Sequence, residues 1–289
     1  MDILCFHTNA QVREEISRHL KEMEFVFSCN SPESWDQIEK TIKEKKPKII
    51  LMETKKDTRK YVEMAVEMTE KMDSDAVIIP IIKSIDRDIA IYFEEKNIGY
   101  ILGDSLLQFK ENLMKVLVEK RDRLESLFKE RRIFKNVVYA FGFSWGRMYI
   151  ADLQRREEVY GILPNLSEGI DIFIVFREKP PILMENHNIK SVWVTDIVGK
   201  NRIKPHNLTI LTDSIIKFLE ESERRIVVMD CVEYLLLYND FINVMRNIEL
   251  INSYAMEYNS LVILIVDNKA YTTKEYSLLK RYAIEWAGV

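Results

Sequence analysis

Glycine and proline are scarce in this 289-residue chain, at 8 and 7 residues. That composition excludes a long flexible linker, a low-complexity segment or a collagen-like chain. Cysteine is scarcer still: Cys5, Cys29 and Cys231 are odd in number and far apart. None has metal-ligand spacing, and Cys5 and Cys29 sit in apolar surroundings, so reduced core thiols are expected. The 4 histidines are scattered, and neither a metal site nor a cofactor is expected. Long apolar runs are missing too. "LVILIV" (261–266) is far short of the ~20 residues a membrane helix needs. The opening "MDILCFH" carries an acid at position 2 and does not read as a signal peptide. A large charge of one sign is absent: the net value of −4 excludes a whole-surface attraction to nucleic acid or anionic lipid. A cytoplasmic protein with no membrane partner and no DNA sequence recognition is therefore expected. Glutamine is rare while lysine, glutamate and isoleucine abound, a balance that leans towards a thermophile.

What is present is a chain 47% apolar and 30% charged, long enough for two domains with sizeable cores. Over residues 1–104, short apolar strands such as "DILCFH", "KIILME" and "AVIIPII" alternate with helical patterns. Alternation of this kind predicts a parallel sheet covered on both faces, and five strands in this length suit a flavodoxin-like arrangement. Ser31-Pro32-Glu33-Ser34 reads as a helix start. This stretch resembles the receiver domains of two-component response regulators. The resemblance implies a phosphate-accepting aspartate after the third strand, an acidic pair after the first, a hydroxyl after the fourth and a lysine after the fifth. Here the acceptor position holds Glu53, the first strand runs into "HTNAQ", Ser84 fits the hydroxyl position and Gly103 replaces the lysine. With one feature of the set left, a pseudo-receiver is expected, with Glu53 and Ser84 as vestiges and a face for docking. A signalling adaptor acting through that face is one reading.

Residues 105–135 read as a connecting helix. Apolar residues at 106, 109, 113, 117, 124 and 127 are spaced by threes and fours with Lys120 interrupting at the middle, a seam that suits a homodimer. Its second half is basic: Lys120, Arg121, Arg123, Lys129, Arg131, Arg132 and Lys135 form a candidate handle for RNA phosphates, or an ordinary solvated face. Next, "NVVYAFGFSWGRMYIADL" (136–153) puts Tyr139, Phe141, Phe143 and Trp145 on alternate positions. The alternation predicts a strand or hairpin with an aromatic face, for base stacking or for packing.

From 136 to 289 strands and helices alternate again, predicting a second mostly parallel sheet domain; Asp240 is expected to cap the helix "FINVMRNIELINSYAMEY", and "TKEYSLLKRYAIEW" to close the chain as a helix. Residues 147–286 resemble the archaeal family catalogued as domain of unknown function 835, on "FREKPP", "SVWVTD", "IKPHNL", "VVMDCVEYLLLYNDF" and "LIVDNKA". That family in turn looks like a reduced relative of the RecA/KaiC-type ATPases, which implies a fold and no established reaction. An ATPase of that lineage needs a glycine-rich loop ending in Lys-Ser/Thr. The equivalent "YIADLQRREEVYG" (149–161) has none, and Gly199-Lys200 reads as a loop turn. Asp230, which ends the strand "RIVVMD", and Glu233 are then vestigial, with structural work to do. Arg177 is expected to partner a local carboxylate. The function expected is non-enzymatic: a homodimeric adaptor or regulator of a large assembly, with a ribosomal subunit as one candidate partner. The alternative is a residual nucleotide-binding protein or ATPase using Asp230 and Glu233.

Overall fold

A computed structural model describes residues 1–32, 34–54, 58–71, 75–103, 106–178 and 188–288, without the side chains of residues 69, 71 and 131. The chain divides into two compact units, Met1–Ala140 and Phe141–Val289. Both are α/β with parallel sheets, the class expected from the alternation of strand and helix. Among the described residues, no helix is long and apolar enough to cross a membrane.

In the first unit β1 (Ile3–Phe6), β2 (Phe27–Asn30), β3 (Ile49–Glu53), β4 (Val77–Ile82) and β5 (Ile101–Leu102) lie parallel in the order β2-β1-β3-β4-β5. Four helices connect them: α1 (Ala10–Glu22), α2 (Trp35–Lys45), α3 (Thr58–Lys71) and α4 (Arg87–Glu95). Ser34 caps α2 by accepting from the Gln37 N–H, and Asn9 and Asp86 cap α1 and α4 in the same way. The central strands are buried on both faces, which is why they read as unbroken apolar runs.

The connecting rod is a correction. Residues 106–140 fold as a 3-10 turn, α5 (Phe109–Glu119), a second 3-10 turn (Arg121–Leu124), then α6 (Glu125–Phe128), α7 (Arg131–Phe134) and α8 (Val137–Ala140). Continuity fails at Lys120. Its ammonium is drawn inward to the Asn97 carbonyl at 2.6 Å and to the Asn97 side chain, leaving the residue only 7% exposed. Beyond the break Leu127, Phe128, Ile133, Phe134, Val137 and Val138 are all buried. They occupy more than one face of a straight helix, so the chain bends repeatedly to bury them. The seam residues Phe109, Leu113, Leu117, Leu124 and Leu127 are buried as well, and α5 packs on α1, β5 and α8 of the same unit.

In the second unit β6 (Arg147–Asp152), β7 (Ile172–Phe176), β8 (Ile189–Val194), β9 (Arg202–Ile203), β10 (Ile226–Asp230), β11 (Leu261–Val266) and β12 (Ile284–Glu285) form one sheet. Its order is β12-β6-β11-β10-β7-β8-β9, and every neighbouring pair is parallel. The helices are α9 (Arg156–Ser167), α10 (Leu208–Glu220), α11 (Val232–Leu236), α12 (Phe241–Glu257) and α13 (Thr273–Leu279). Asp240 caps α12, accepting from the Asn243 N–H at 2.9 Å.

Two expectations fail along residues 136–286. Residues 136–146 are not a strand: α8 occupies Val137–Ala140, and the chain then turns at Gly142 (φ +75°) and Gly146 (φ +68°), which only glycine adopts without strain. The alternating small residues mark turns rather than a thin strand face. The last helix also stops early, at Leu279, and β12 joins the β6 edge in register Ile284 to Tyr149. Trp286 fixes that strand by stacking on Phe143 with ring centroids 5.1 Å apart and donating its indole N–H to the Phe141 carbonyl at 2.8 Å. Pairing with β6 satisfies backbone groups that an extra helical turn would have left to solvent.

From β7 the chain runs outward to β8, while from the adjacent β10 it runs the other way to β11. Their C-terminal ends therefore diverge at a topological switch point, where α/β sheets place their ligand crevices. Asp230 and Phe176 are register partners there.

Candidate functional site

Asp230 is not free at that switch point. Its Oδ2 accepts from Arg156 Nε at 2.7 Å and from the Tyr160 hydroxyl at 2.9 Å. Both donors come from α9, one turn apart, so a single helical face presents them. Arg156 also donates from Nη2 to the Glu178 carbonyl at 3.2 Å, and its guanidinium lies 5.5 Å from the Tyr160 ring centroid. The pair is well shielded, with side chains 19% and 10% exposed. Burial opposes the Arg156 charge, but the bond and the charge of Asp230 outweigh it and raise its pKa. Burial and then the same carboxylate push the Tyr160 phenol far up. The partners of Asp230 lie 74 and 70 residues away in sequence. In the sequence Arg156 and Tyr160 carry no sign of this role beyond their i, i+4 spacing after β6.

The turn between β6 and α9 holds no phosphate cradle. Leu153–Arg155 is a single 3-10 turn, closed by Asp152 Oδ1 accepting from the Gln154 N–H at 2.9 Å. Glu157 and Glu158 occupy the first turn of α9, where an anion would need positive charge. Gly199-Lys200 turns the loop between β8 and β9, as expected. Glu233, in α11, reaches across to the end of β11: its Oε1 accepts from the Asp267 N–H at 2.8 Å and the Tyr271 hydroxyl at 3.2 Å. Burial raises the Glu233 pKa against these bonds. Among the described residues no group of acids, histidines or cysteines is disposed to hold a metal. Asp230 and Glu233 thus tie α9 and β11 to β10 and α11.

Beside them lies a surface that the sequence analysis did not single out. Arg177 was expected to partner a carboxylate; instead its guanidinium sits 4.3 Å from the centre of the Tyr234 ring. Tyr234 and Tyr238 meet edge to face at 5.2 Å, and both hydroxyls donate to Asp196, at 3.4 and 3.0 Å. Trp193 donates its indole N–H to the Arg177 carbonyl at 2.7 Å and lies under Arg202 at 5.1 Å. Around this ladder Ile197, Val198 and Leu237 are 56%, 80% and 77% exposed.

In the first unit Glu53 ends β3. Its Oε2 accepts from the Thr8 backbone N–H at 2.7 Å and the Thr8 hydroxyl at 2.6 Å. Burial would raise its pKa, but these bonds prevail and lower it. His7 Nδ1 lies 3.6 Å from the same oxygen and accepts from the Asn9 N–H, and burial lowers its pKa; the ring is a neutral acceptor beside the carboxylate. Ser84 is exposed just after β4.

The basic stretch does not form one face. Lys120 is buried on Asn97, Lys129 pairs with Glu125 at 2.7 Å, and Arg132 pairs with Asp2 at 3.1 Å and Glu130 at 2.6 Å. Arg121 lies over the Phe128 and Phe134 rings, and Lys135 is half-buried. Arg123 is exposed beside Lys43, Lys46 and Lys48 around a cleft. The Arg131 side chain lies outside the described residues. The aromatic row is not a stacking platform either: Tyr139, Phe143 and Trp145 are 8%, 1% and 7% exposed, and Phe141 is half-buried.

Residues 152–282 match the family model described as "Protein of unknown function (DUF835)". That segment runs from the end of β6 past α13 and contains Arg156, Asp230, Glu233 and the ladder of Arg177, Trp193 and Tyr234. The family resemblance expected from "VVMDCVEYLLLYNDF" therefore holds for this part of the chain. No curated protein matches the chain. Among solved structures it is similar to D-lactate dehydrogenase with NAD+ from Lactobacillus jensenii, at 8% identity over 99% of this chain and 88% of that one, with a TM-score of 0.26. D-2-hydroxyisocaproate dehydrogenase gives 10% identity over 98% and 94%, with a TM-score of 0.27. Scores this low carry no argument about fold detail or activity.

Proposed function

We propose that the protein acts without catalysis, as an adaptor or regulator that engages a larger assembly through its surface. One observation carries this reading: the strand-end acid Asp230 is already neutralised by Arg156 and Tyr160 of α9. A metal on Asp230 would have to displace a guanidinium held at 2.7 Å, and the turn before α9 offers no glycine-rich cradle for the phosphates the metal would serve.

The surface best suited to a partner is the ladder of Arg177, Trp193, Arg202, Tyr234 and Tyr238 with its exposed rim of Ile197, Val198 and Leu237. Tryptophan, tyrosine and arginine are the residues in which binding energy concentrates at protein interfaces. The cations of residues 120–135 are largely engaged within their own unit, which favours a protein surface over bare RNA, also when the assembly is a ribosomal subunit. A bridging homodimer would need a surface other than the buried α5 seam.

Thermal unfolding with magnesium-ATP separates this reading from a residual nucleotide-binding protein. Binding at 1,000-fold excess over Kd would add about 4 kcal/mol; no shift is expected, and a shift of that size would restore the ATPase alternative. Val198→Glu with Leu237→Glu should leave the melting temperature unchanged while abolishing co-purification of the partner assembly. Sedimentation of the wild type reads the oligomeric state directly.

A further inference from the structure

Cys5 and Cys29, far apart in sequence, are register partners on β1 and β2. In-register residues of adjacent parallel strands point to the same face, with strands about 4.8 Å apart. That spacing falls inside the Cα separation of about 4.4–6.8 Å that a disulfide spans. The two side chains are near enough for each thiol to shift the other's ionisation. Cys5 is fully buried, whereas Cys29 is half-buried on the edge strand of the sheet. An edge strand is bonded on one side only, so β2 has room for the small shift that closing a bridge requires.

The surroundings differ in a way that assigns roles. The Cys5 thiol, the Ser17 hydroxyl and the charge of Arg13 outweigh burial and bring the Cys29 pKa down to about 7. The Cys29 thiol and burial push the Cys5 thiol well up. A reachable thiol that ionises near neutrality beside a second thiol is the arrangement found in redox-responsive cysteines. Cys231 is the contrast: it is fully buried in the other unit, its pKa raised by burial.

We propose that Cys5 and Cys29 are a reversible dithiol–disulfide pair that responds to hydroperoxides, with Cys29 attacking and Cys5 resolving. The Cys29 sulfur attacks one peroxide oxygen and the O–O bond breaks. Cys29 becomes a sulfenic acid, and the other oxygen leaves as water or an alcohol carrying the thiol proton. The Cys5 sulfur then displaces the hydroxyl, the S–O bond breaks, and a second water leaves with the Cys5 proton. Two thiols have been oxidised by two electrons and one peroxide reduced. The product staples the edge strand to the sheet.

The test treats the reduced full-length protein with hydrogen peroxide, alkylates remaining thiols and maps peptides by mass spectrometry. A Cys5–Cys29 linked peptide is expected, with the intact mass lower by two hydrogen atoms, reversal by dithiothreitol and Cys231 still a thiol. Cys5→Ser should instead leave a sulfenic acid at Cys29 that a dimedone probe traps, and Cys29→Ser should abolish the bridge. Recovery of both wild-type cysteines as alkylated thiols overturns the proposal. So does Cys29 taken to the sulfinic acid while Cys5 stays reduced.

Discussion

Asp230 is held by a guanidinium and a phenol in a largely dry place, and the energetics follow from that shielding. Removing one partner strands a buried charge, which costs more than the intact pair contributes. Arg156→Ala should therefore lower stability by about 3 kcal/mol, and Tyr160→Phe by about 1.5 kcal/mol through one lost bond to a charged group. Urea denaturation checks both, and a double-mutant cycle between them should show coupling because they share one oxygen. Glu233 and Glu53 titrate in opposite senses. Burial raises the pKa of Glu233, so the folded protein holds that proton more tightly than the unfolded chain. Its contribution is complete below the ordinary value of 4.5 and is lost as pH rises through the folded value. The pKa of Glu53 is lowered against burial by the Thr8 bonds, so its contribution is present above 4.5 and is lost as pH falls. Relative to wild type, Glu233→Gln should gain stability as pH rises above 4.5, and the deficit of Glu53→Gln should shrink as pH falls below 4.5; urea midpoints on both sides of that value decide.

At the scale of elements, caps were legible and continuity was not. Ser34 and Asp240 both start helices by accepting from N–H groups three residues on, a rule that needs no tertiary information. The single helix over residues 105–135 and the first part of the strand or hairpin over 136–153 failed because periodicity describes one segment against an imagined flat partner. Lys120 turns inward to Asn97, 23 residues earlier, and Trp286 docks on Phe141 and Phe143, 145 and 143 residues earlier; neither distant partner shows in a local pattern. Trp286→Ala should cost about 3–4 kcal/mol and loosen β12 from β6. On a terminal helix the same change would have been nearly neutral, so thermal denaturation together with amide exchange over residues 147–152 distinguishes the two arrangements.

At the scale of the molecule, the division near Ala140 places the former connector in the first unit and leaves the second with its own seven-stranded core. Residues 141–289 expressed alone should unfold in a single cooperative transition, which a calorimetric scan reads as agreement between calorimetric and van't Hoff enthalpies. The sequence by itself determined the class and the rough order of strands and helices. Buried parallel strands must be apolar on both faces, and the covering helices must be apolar on one. The glycine and lysine spacing that a phosphate-binding loop needs is likewise a matter of residue order alone. Tertiary structure alone decided what the leftover groups do. Arg156 meets Asp230, Thr8 meets Glu53 and Cys5 meets Cys29 only because the sheets bring distant strand ends and neighbours together. Bonds and charges act over a few ångströms of space, whatever the distance along the chain.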